Sequence, residues 1–189
     1  TVYGGVAGDV MGQDCQEIKA LHDPDETVLD EELTRAMTPF SQKPGDVTAL
    51  RNRLQDVMWE DVGVMRDADG LQRGLKRIAE IDDELSSVGV TADNLAFNLS
   101  WHDWLNLRSL IDMSMVIAKA ALSRENSRGA HFREDFPDAG AMQESYFTLA
   151  SGYGDAISVT RAPVQFTIVK PGETLLGEDE AETLIKAAQ

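Results

Sequence analysis

The chain has 189 residues, of which 42% are hydrophobic and 26% charged, and this ordinary globular balance argues against wholesale disorder. Its 33 acidic and 17 basic residues give a net charge of -16, which repels phosphate backbones and anionic membrane surfaces, so nucleic acid is a poor partner. The single cysteine, Cys15, excludes an intrachain disulfide and any cluster held by several cysteines of this chain.

Residues 1–45 are predicted to form the end of one domain and an acidic linker. Residues 1–20 mix small and apolar side chains and include Gly4, Gly5, Gly8 and Gly12. In a free helix each glycine costs about 1 kcal/mol relative to alanine, so the pattern indicates a helix that packs closely against a neighbour. The sequence enters this helix at once and without a methionine, and we therefore expect a fragment of a longer protein.

An acidic segment and a turn follow this first helix. The segment from Asp14 to Glu32 holds eight acidic residues and one lysine, which is typical of a solvated helix and loop. The stretch SQKPGD at residues 41–46 is a turn cluster, and Asp46 is placed to cap the next helix. A domain boundary near residue 45 is therefore predicted.

Residues 46–137 are predicted to form a helical bundle domain. Two amphipathic helices come first, with a break near Arg66 to Gly70, and Gly89 is placed to close the second. Their apolar stripes are Leu50, Leu54, Val57, Val62 and Met65, and then Leu71, Leu75, Ile78, Leu85 and Val88. A third helix, from about Leu99 to Arg124, carries two apolar stripes and would run about 40 Å. The three helices are expected to pack up-down-up as an antiparallel three-helix bundle.

Several large side chains of this bundle have an expected role. Trp59, Trp101 and Trp104 are interpreted as core and packing residues. Arg108 interrupts an apolar stripe of the third helix. Its guanidinium either pairs with a carboxylate or carbonyl, or extends along the helix so that its charge reaches water.

Residues 138–189 are predicted to form a β-hairpin extension and an acidic tail. The hydrophobic period changes to two in SYFTLA at 145–150 and again at 157–169, with turn residues between them. Pro163 indicates that the second strand is broken or lies at an edge. The terminal segment from Glu173 to Gln189 is expected to form a short helix or to fray.

The sequence offers little catalytic chemistry. His22, His102 and His131 lie far apart without the spacing of metal ligands, and neither Ser127 nor Cys15 sits in a nucleophile elbow. No Gly-rich dinucleotide or phosphate loop is present. We therefore predict no catalytic, metal-binding or cofactor-binding residue in this chain.

The stretch SRGAHFREDFP at residues 127–137 is the most concentrated polar feature. It follows the long helix, so its cations can cap the last helical carbonyls, and Asp135 can pair with Arg128 or Arg133. We interpret it as an anchor between neighbouring parts of the protein, since a polar cluster without a cofactor motif argues against catalysis.

Two blocks of the sequence carry a resemblance. They are LRNRLQDVMWEDVGVMRDADGLQRGLKRIAEI, from residue 50, and WHDWLNLRSLIDMSMVIAKAALSRENSRGAHFREDFP, from residue 101. Together they resemble the C-terminal helical domain of the succinate dehydrogenase, fumarate reductase and L-aspartate oxidase flavoproteins. The first eleven residues and RAPVQFT at 161–167 extend the similarity. One departure is Asn126, where that family usually has Glu.

The resemblance implies a cofactor, partners and a location. Family members bind FAD and pass a hydride between the flavin and a carboxylate substrate, with residues that would lie upstream of Thr1. The fragment alone is then expected to be inactive, and its first helix belongs to the missing FAD domain. Expected partners are the FAD-binding domain of the same protein and an iron-sulfur subunit, without membrane insertion. The expected location is the cytoplasm, with peripheral attachment at the inner face of the membrane.

The same resemblance marks residues for structural or interface roles. They are Trp59, Arg66, Arg124, Ser127, Arg128, Gly129, His131, Arg133 and Asp135. An alternative from another class remains open, namely a free-standing acidic helical adaptor domain without redox activity.

Overall fold

The computed structural model describes residues 2–18, 20, 23–152 and 154–173. The chain divides into two units, of which the first ends at Thr38 and the second begins at Pro39. The first unit holds two helices, α1 (Val2–Glu17) and α2 (Glu26–Met37). The side chain of Asp25 caps α2 by accepting a hydrogen bond from the Thr27 amide at 3.0 Å. No residue of α2 is buried, which agrees with the solvated helix expected there.

The glycines of α1 lie on an open surface in this chain. A Cβ added at Gly4, Gly5, Gly8 or Gly12 would meet nothing within 4 Å. Because Gly4, Gly8 and Gly12 are spaced by four, they follow one another along one face of α1. The close packing that the sequence predicts for this helix therefore has no counterpart among the described residues.

The second unit contains the predicted three-helix bundle. Its helices are α3 (Val47–Glu60), α4 (Ala68–Ser86) and α5 (Leu99–Ser123). The predicted cap is present, since the Asp46 side chain accepts a hydrogen bond from the Ala49 amide at 2.9 Å. The fully buried apolar side chains at the centre of the bundle include Leu50, Val57, Leu71, Ile78, Ile81, Leu85, Leu107 and Ile111. The fold class is thus confirmed, while the domain limits near residues 45 and 137 stay predictions.

The helix ends differ from the predicted ones. Helix α3 stops at Glu60, so Val62 lies in the turn that follows it and Met65 begins a short strand. Helix α4 stops at Ser86, and Gly89 lies in a short strand instead of closing the helix.

Two pairs of two-residue strands join the helix ends. Strand β1 (Lys43–Pro44) pairs in parallel with β3 (Val88–Gly89), and β2 (Met65–Arg66) pairs in parallel with β4 (Phe132–Arg133). A Cβ at Gly89 would lie 2.2 Å from the carbonyl oxygen of Gln42. Glycine is needed there because the two backbones approach each other too closely for any side chain.

The predicted hairpin is also present. Strands β5 (Tyr146–Ser151) and β6 (Ser158–Pro163) pair antiparallel, from Tyr146 with Pro163 to Ser151 with Ser158. Lys119 of α5 donates a hydrogen bond to the Ile157 carbonyl at 3.0 Å, which ties the hairpin to the bundle. Strand β6 ends at Pro163, where the sequence indicated a break, and the Val164 amide adds one further hydrogen bond to the Ser145 carbonyl at 2.9 Å. The predicted terminal helix falls at residues 174–189, outside the described residues.

The large side chains divide between the core and the surface. Trp104 is 4% exposed and its Nε1 donates to the Val88 carbonyl at 2.9 Å, while Trp101 packs edge-on against Phe40. Trp59 is 80% exposed, so its predicted core role is wrong. The buried face of α3 consists of Leu50, Leu54 and Val57. Trp59 lies about 200° around the helix axis from Val57 and therefore faces away from the core.

Arg108 forms an ion pair. Its guanidinium pairs with Asp82 of α4 and lies 3.6 Å from Asp112 of its own helix. Of the two interpretations of this arginine, pairing is therefore the correct one.

No helix in the described part of the chain combines the length and apolar character needed to cross a bilayer.

The contact at Gly89 leads to a stability prediction. Replacing Gly89→Ala should lower the free energy of unfolding by about 2 kcal/mol, because the added methyl group overlaps the Gln42 backbone. Urea unfolding followed by circular dichroism measures the change. The matched control is Gly8→Ala, whose methyl group meets open space and which should leave the chain as stable or stabilise it by up to about 1 kcal/mol. Equal effects of the two substitutions would contradict the close approach at Gly89.

Candidate functional site

The polar loop after α5, residues 127–137, is built around a tight turn and one serine. Gly129 has a φ of +60°, and the turn it allows is closed by two backbone hydrogen bonds between Arg128 and His131, at 2.9 and 3.1 Å. The Ser127 hydroxyl donates to the Phe136 carbonyl at 2.8 Å and accepts from the Arg133 amide at 2.9 Å. Ser127 is therefore engaged in holding the loop, which argues against a role as nucleophile.

The side chain of Arg133 fixes this loop to the end of α5. It is 1% exposed, and its Nη1 donates to the carbonyls of Ala121, Leu122 and Arg124 at 3.1 Å each. These carbonyls lie at the C-terminal end of α5, where the last helical carbonyls lack the amide four residues further on and where the helix dipole favours a cation. Arg133 thus provides the helix cap that the sequence indicated for this stretch.

Asp135 completes the contact and extends it to α4. Its two oxygens accept from Nε and Nη2 of Arg133 at 2.7 Å each, and Oδ2 also accepts from the backbone amide of Ala68, at 2.9 Å. Ala68 is the first residue of α4, so the carboxylate lies at the positive end of that helix. The hydrogen bonds from Arg133, and more weakly from Ala68, lower the pKa of Asp135 to about 2. We call the pair Arg133 and Asp135 the helix-end clamp.

A second carboxylate, Asp61, supports the start of α4 from another side. Its side chain is 1% exposed and accepts hydrogen bonds from Arg73 and Arg77, both on α4, at 2.8 Å. No sequence pattern predicted this network, because a single Asp after α3 has no spacing relation to arginines twelve and more residues away.

A groove of about 610 Å³ lies between α5, the polar loop and β5. We call it the arginine groove, because Arg66, Arg124 and Arg128 line it together with His131. Its other walls are apolar or aromatic and include Ile117, Ala120, Tyr146 and Phe147. The groove therefore combines a set of cations with an apolar surface.

His131 lies in the groove between an arginine side chain and a backbone carbonyl. Its Nδ1 is 3.4 Å from Nη1 of Arg66, and its Nε2 is 3.5 Å from the carbonyl oxygen of Arg124. Burial, and then the charges of Arg124, Arg66 and Arg133, lower the pKa of His131. The contacts fit an imidazole that accepts at Nδ1 and carries its proton on Nε2.

The arginines of the groove are held by neutral groups. Arg66 donates from Nε to the Val62 carbonyl at 3.0 Å, and burial lowers its pKa. Arg128 donates to the carbonyls of Ala139 and Ala141 and to the Ser145 hydroxyl. Arg124 donates to the side-chain oxygen of Asn126 at 3.2 Å. None of these acceptors carries a charge.

The structure divides the predicted site residues into three places. Arg66, Arg124, Arg128 and His131 line the groove, whereas Ser127, Gly129, Arg133 and Asp135 build the loop beside it. Trp59 is absent from the lining of the groove. Two features were not predicted from the sequence, namely the aromatic wall and Arg161, whose guanidinium lies 4.6 Å from the ring centre of Tyr146. The quoted segment RAPVQFT contained this arginine, but only the hairpin register brings it to Tyr146.

The arrangement is suited to binding an anion. Fixed guanidinium groups recognise carboxylate or phosphate oxygens, and His131 brings no negative charge that would compete with a bound anion. Among the described residues, no three or more His, Cys, Asp or Glu side chains are grouped so that they could hold a metal ion.

Comparisons with known proteins show which sequences and structures this chain is similar to. A family model described as fumarate reductase flavoprotein C-terminus matches residues 51–175. An uncharacterised FAD-dependent oxidoreductase of Methanocaldococcus jannaschii is 30% identical over 135 residues, which are 70% of this chain and 24% of that protein. The fumarate reductase flavoprotein subunit of Haemophilus influenzae is 26% identical over 191 residues, which span 100% of this chain and 32% of the subunit.

A solved structure is similar as well. One chain of the Sdh1 complex of Mycobacterium smegmatis in the apo form matches with a TM-score of 0.68 and 28% identity, over 87% of this chain and 29% of that chain. This chain therefore spans about a quarter to a third of the length of its relatives.

The helix-end clamp yields a stability prediction. Replacing Asp135→Asn should lower the free energy of unfolding by about 3 kcal/mol, because the buried Arg133 loses its charged partner and the α4 amide loses its carboxylate. Chemical unfolding at neutral pH measures the loss. Glu134→Gln, an exposed neighbour, is the control and should change stability by less than about 0.5 kcal/mol. Similar losses in both variants would contradict the clamp.

The same pair predicts a pH dependence. Because the pKa of Asp135 is about 2 in the folded chain and near 3.8 without its partners, its contribution is complete above the higher value and is lost as the pH falls towards the lower one. The stability difference between the native chain and Asp135→Asn should therefore stay constant from pH 7 to 5 and shrink below pH 4. Urea midpoints measured across this range test the prediction, and a difference that stays constant down to pH 3 would contradict it.

Proposed function

The chain belongs to the fumarate reductase flavoprotein C-terminal family, and from this membership we propose that it is the C-terminal domain of an FAD-dependent oxidoreductase. The observation that carries the proposal is the family match over residues 51–175, which includes α4, α5, the polar loop and the hairpin. We further propose that the enzyme transfers a hydride between FAD and a carboxylate substrate of the fumarate, succinate or L-aspartate class. Its location would be the cytoplasm, with peripheral attachment to the inner face of the membrane.

The described residues do not themselves fit FAD. A dinucleotide pyrophosphate usually lies where a parallel strand leads through a glycine turn into the start of a helix. Here β1 leads to α3 and β2 leads to α4, and an aspartate caps each helix start, Asp46 in one and Asp67 in the other. A carboxylate at these positions would repel a pyrophosphate. We therefore assign FAD binding and hydride transfer to other parts of the full protein.

The role proposed for this chain is support and docking. In the second unit, Trp59, Val64 and Met65 are exposed apolar side chains within seven residues of each other. Exposed apolar surface of this kind is typical of a protein interface. In the first unit, the glycine face of α1 would allow another helix or strand to approach closely. The proposed partners are the FAD-binding domain of the same protein and an iron-sulfur subunit.

A flavin spectrum of the complete gene product tests the proposed function. The complete protein should purify with the visible absorption of bound flavin, and after chemical reduction fumarate should restore the oxidised spectrum. The 189-residue chain alone should bind no flavin and show no such reaction. A complete product that is colourless and does not bind added FAD would contradict the proposal and favour an acidic adaptor.

The docking role is tested by substitutions in the same complete protein. Trp59→Ala should lower its flavin content or thermal stability while leaving the 189-residue chain as stable as before, because the exposed indole has no role within the bundle. Met113→Ala, at an exposed position of α5, is the control. Equal behaviour of both variants would argue against docking through Trp59.

A further inference from the structure

The arginines of this chain fall into two groups by their partners. Within the described residues, carboxylates pair with Arg35, Arg51, Arg53, Arg73, Arg77, Arg108 and Arg133. The same part of the chain holds no ion pair at the remaining four, which are Arg66, Arg124, Arg128 and Arg161. Three of these four line the arginine groove, and the fourth stacks on Tyr146 in its wall. In a chain of net charge -16, the uncompensated guanidinium groups are therefore concentrated at one place.

The groove residues position these charges without neutralising them. Carbonyl and hydroxyl oxygens hold Arg128 at three nitrogens, and a carbonyl and His131 hold Arg66 at two. At Arg124 only Nη2 has a protein acceptor among the described residues, so its Nε and Nη1 are available to a ligand. Because the side chains are already ordered, a ligand loses less free energy to the immobilisation of its partners.

Position 126 explains why the groove lacks an internal anion. The side-chain oxygen of Asn126 is 3.2 Å from Nη2 of Arg124. An Asn at this point keeps the hydrogen bond but supplies no negative charge. Since no carboxylate among the described residues pairs with Arg124, a bound ligand can supply its counter-charge.

From these observations we propose that the arginine groove binds a ligand carrying two or more carboxylates, held by Arg66, Arg124 and Arg128. The volume of about 610 Å³ suits a small ligand, and Ile117 and Ala120 offer an apolar surface to its carbon skeleton. The carboxylates can belong to a free small molecule or to acidic side chains of a protein segment.

The surroundings favour carboxylate over phosphate. Phosphate sites commonly use backbone amides at the start of a helix. The helix that reaches the groove is α5, and it presents its C-terminal end, whose carbonyls repel a doubly charged phosphate group more strongly than a singly charged carboxylate group. Side-chain guanidinium groups are the donors on offer, and their planar forks match a carboxylate.

Calorimetric titration of the 189-residue chain at constant ionic strength tests the proposal. The probes are citrate, a hexaglutamate peptide and inorganic phosphate. At least one carboxylate probe should bind, and more tightly than phosphate. Binding of citrate alone indicates a small-molecule ligand, whereas binding of the peptide alone indicates an acidic protein segment. Absence of binding by both carboxylate probes, or tighter binding of phosphate, would overturn the proposal.

Two variants locate the binding to the groove. Arg124→Gln should weaken the carboxylate probe at least about tenfold, because it removes a charged donor whose side chain, among the described residues, donates a hydrogen bond only to Asn126. Asn126→Glu should weaken it similarly by placing an internal carboxylate beside Arg124. The matched controls are Arg51→Gln, whose partner Asp103 lies outside the groove, and Gln55→Glu on exposed α3 surface. Controls should stay within about twofold of the native chain, and equal weakening by controls and groove variants would refute the site.

Discussion

The buried guanidinium of Arg133 is the contact on which the second unit depends. Burying a cation is unfavourable unless every donor finds a partner and the charge is balanced. Arg133 meets both conditions, through three carbonyls at the end of α5 and the two oxygens of Asp135. Since Asp135 also accepts from the first amide of α4, one ion pair joins the negative end of one helix to the positive end of another.

The clamp also determines the shape of the arginine groove. Arg133 lies in β4, which pairs with β2, and this pairing places Arg66 next to His131. The Gly129 turn then presents Arg128 towards the hairpin, where Ser145 accepts one of its hydrogen bonds. The cations of the groove are therefore carried by a loop whose own charges are balanced internally.

Sequence periodicity predicted the parts of the fold that repeat, and it could not predict the rest. The three helices, the hairpin and the Asp46 cap follow from spacing and turn chemistry, and so does the capping role of the loop cations. The partner of Asp135 was left open between Arg128 and Arg133, because spacing alone does not decide which of two nearby cations is turned inwards. The two-residue strands carry no period, and Trp59 looked like a core residue because aromatic side chains are usually buried.

The groove was beyond sequence reasoning for a related reason. Arg66, Arg124 and Arg161 come from three distant segments, and their convergence depends on the strand pairing and the hairpin register. The net charge of -16 pointed away from any anionic partner, yet it is an average that conceals a local excess of positive charge. The proposed carboxylate site rests on the arginines that form no ion pair within the described part of the chain.

A double-mutant cycle across the helix-end clamp tests its central role most directly. The free energies of unfolding of the native chain, Arg133→Met, Asp135→Asn and the double variant give the coupling between the two side chains. If the clamp joins the helix ends as described, the coupling should reach about 2 kcal/mol. Asp135→Asn leaves the buried Arg133 without its charged partner, and Arg133→Met leaves Asp135 without the two donors of Arg133. Additive losses, with a coupling below about 0.5 kcal/mol, would contradict this account.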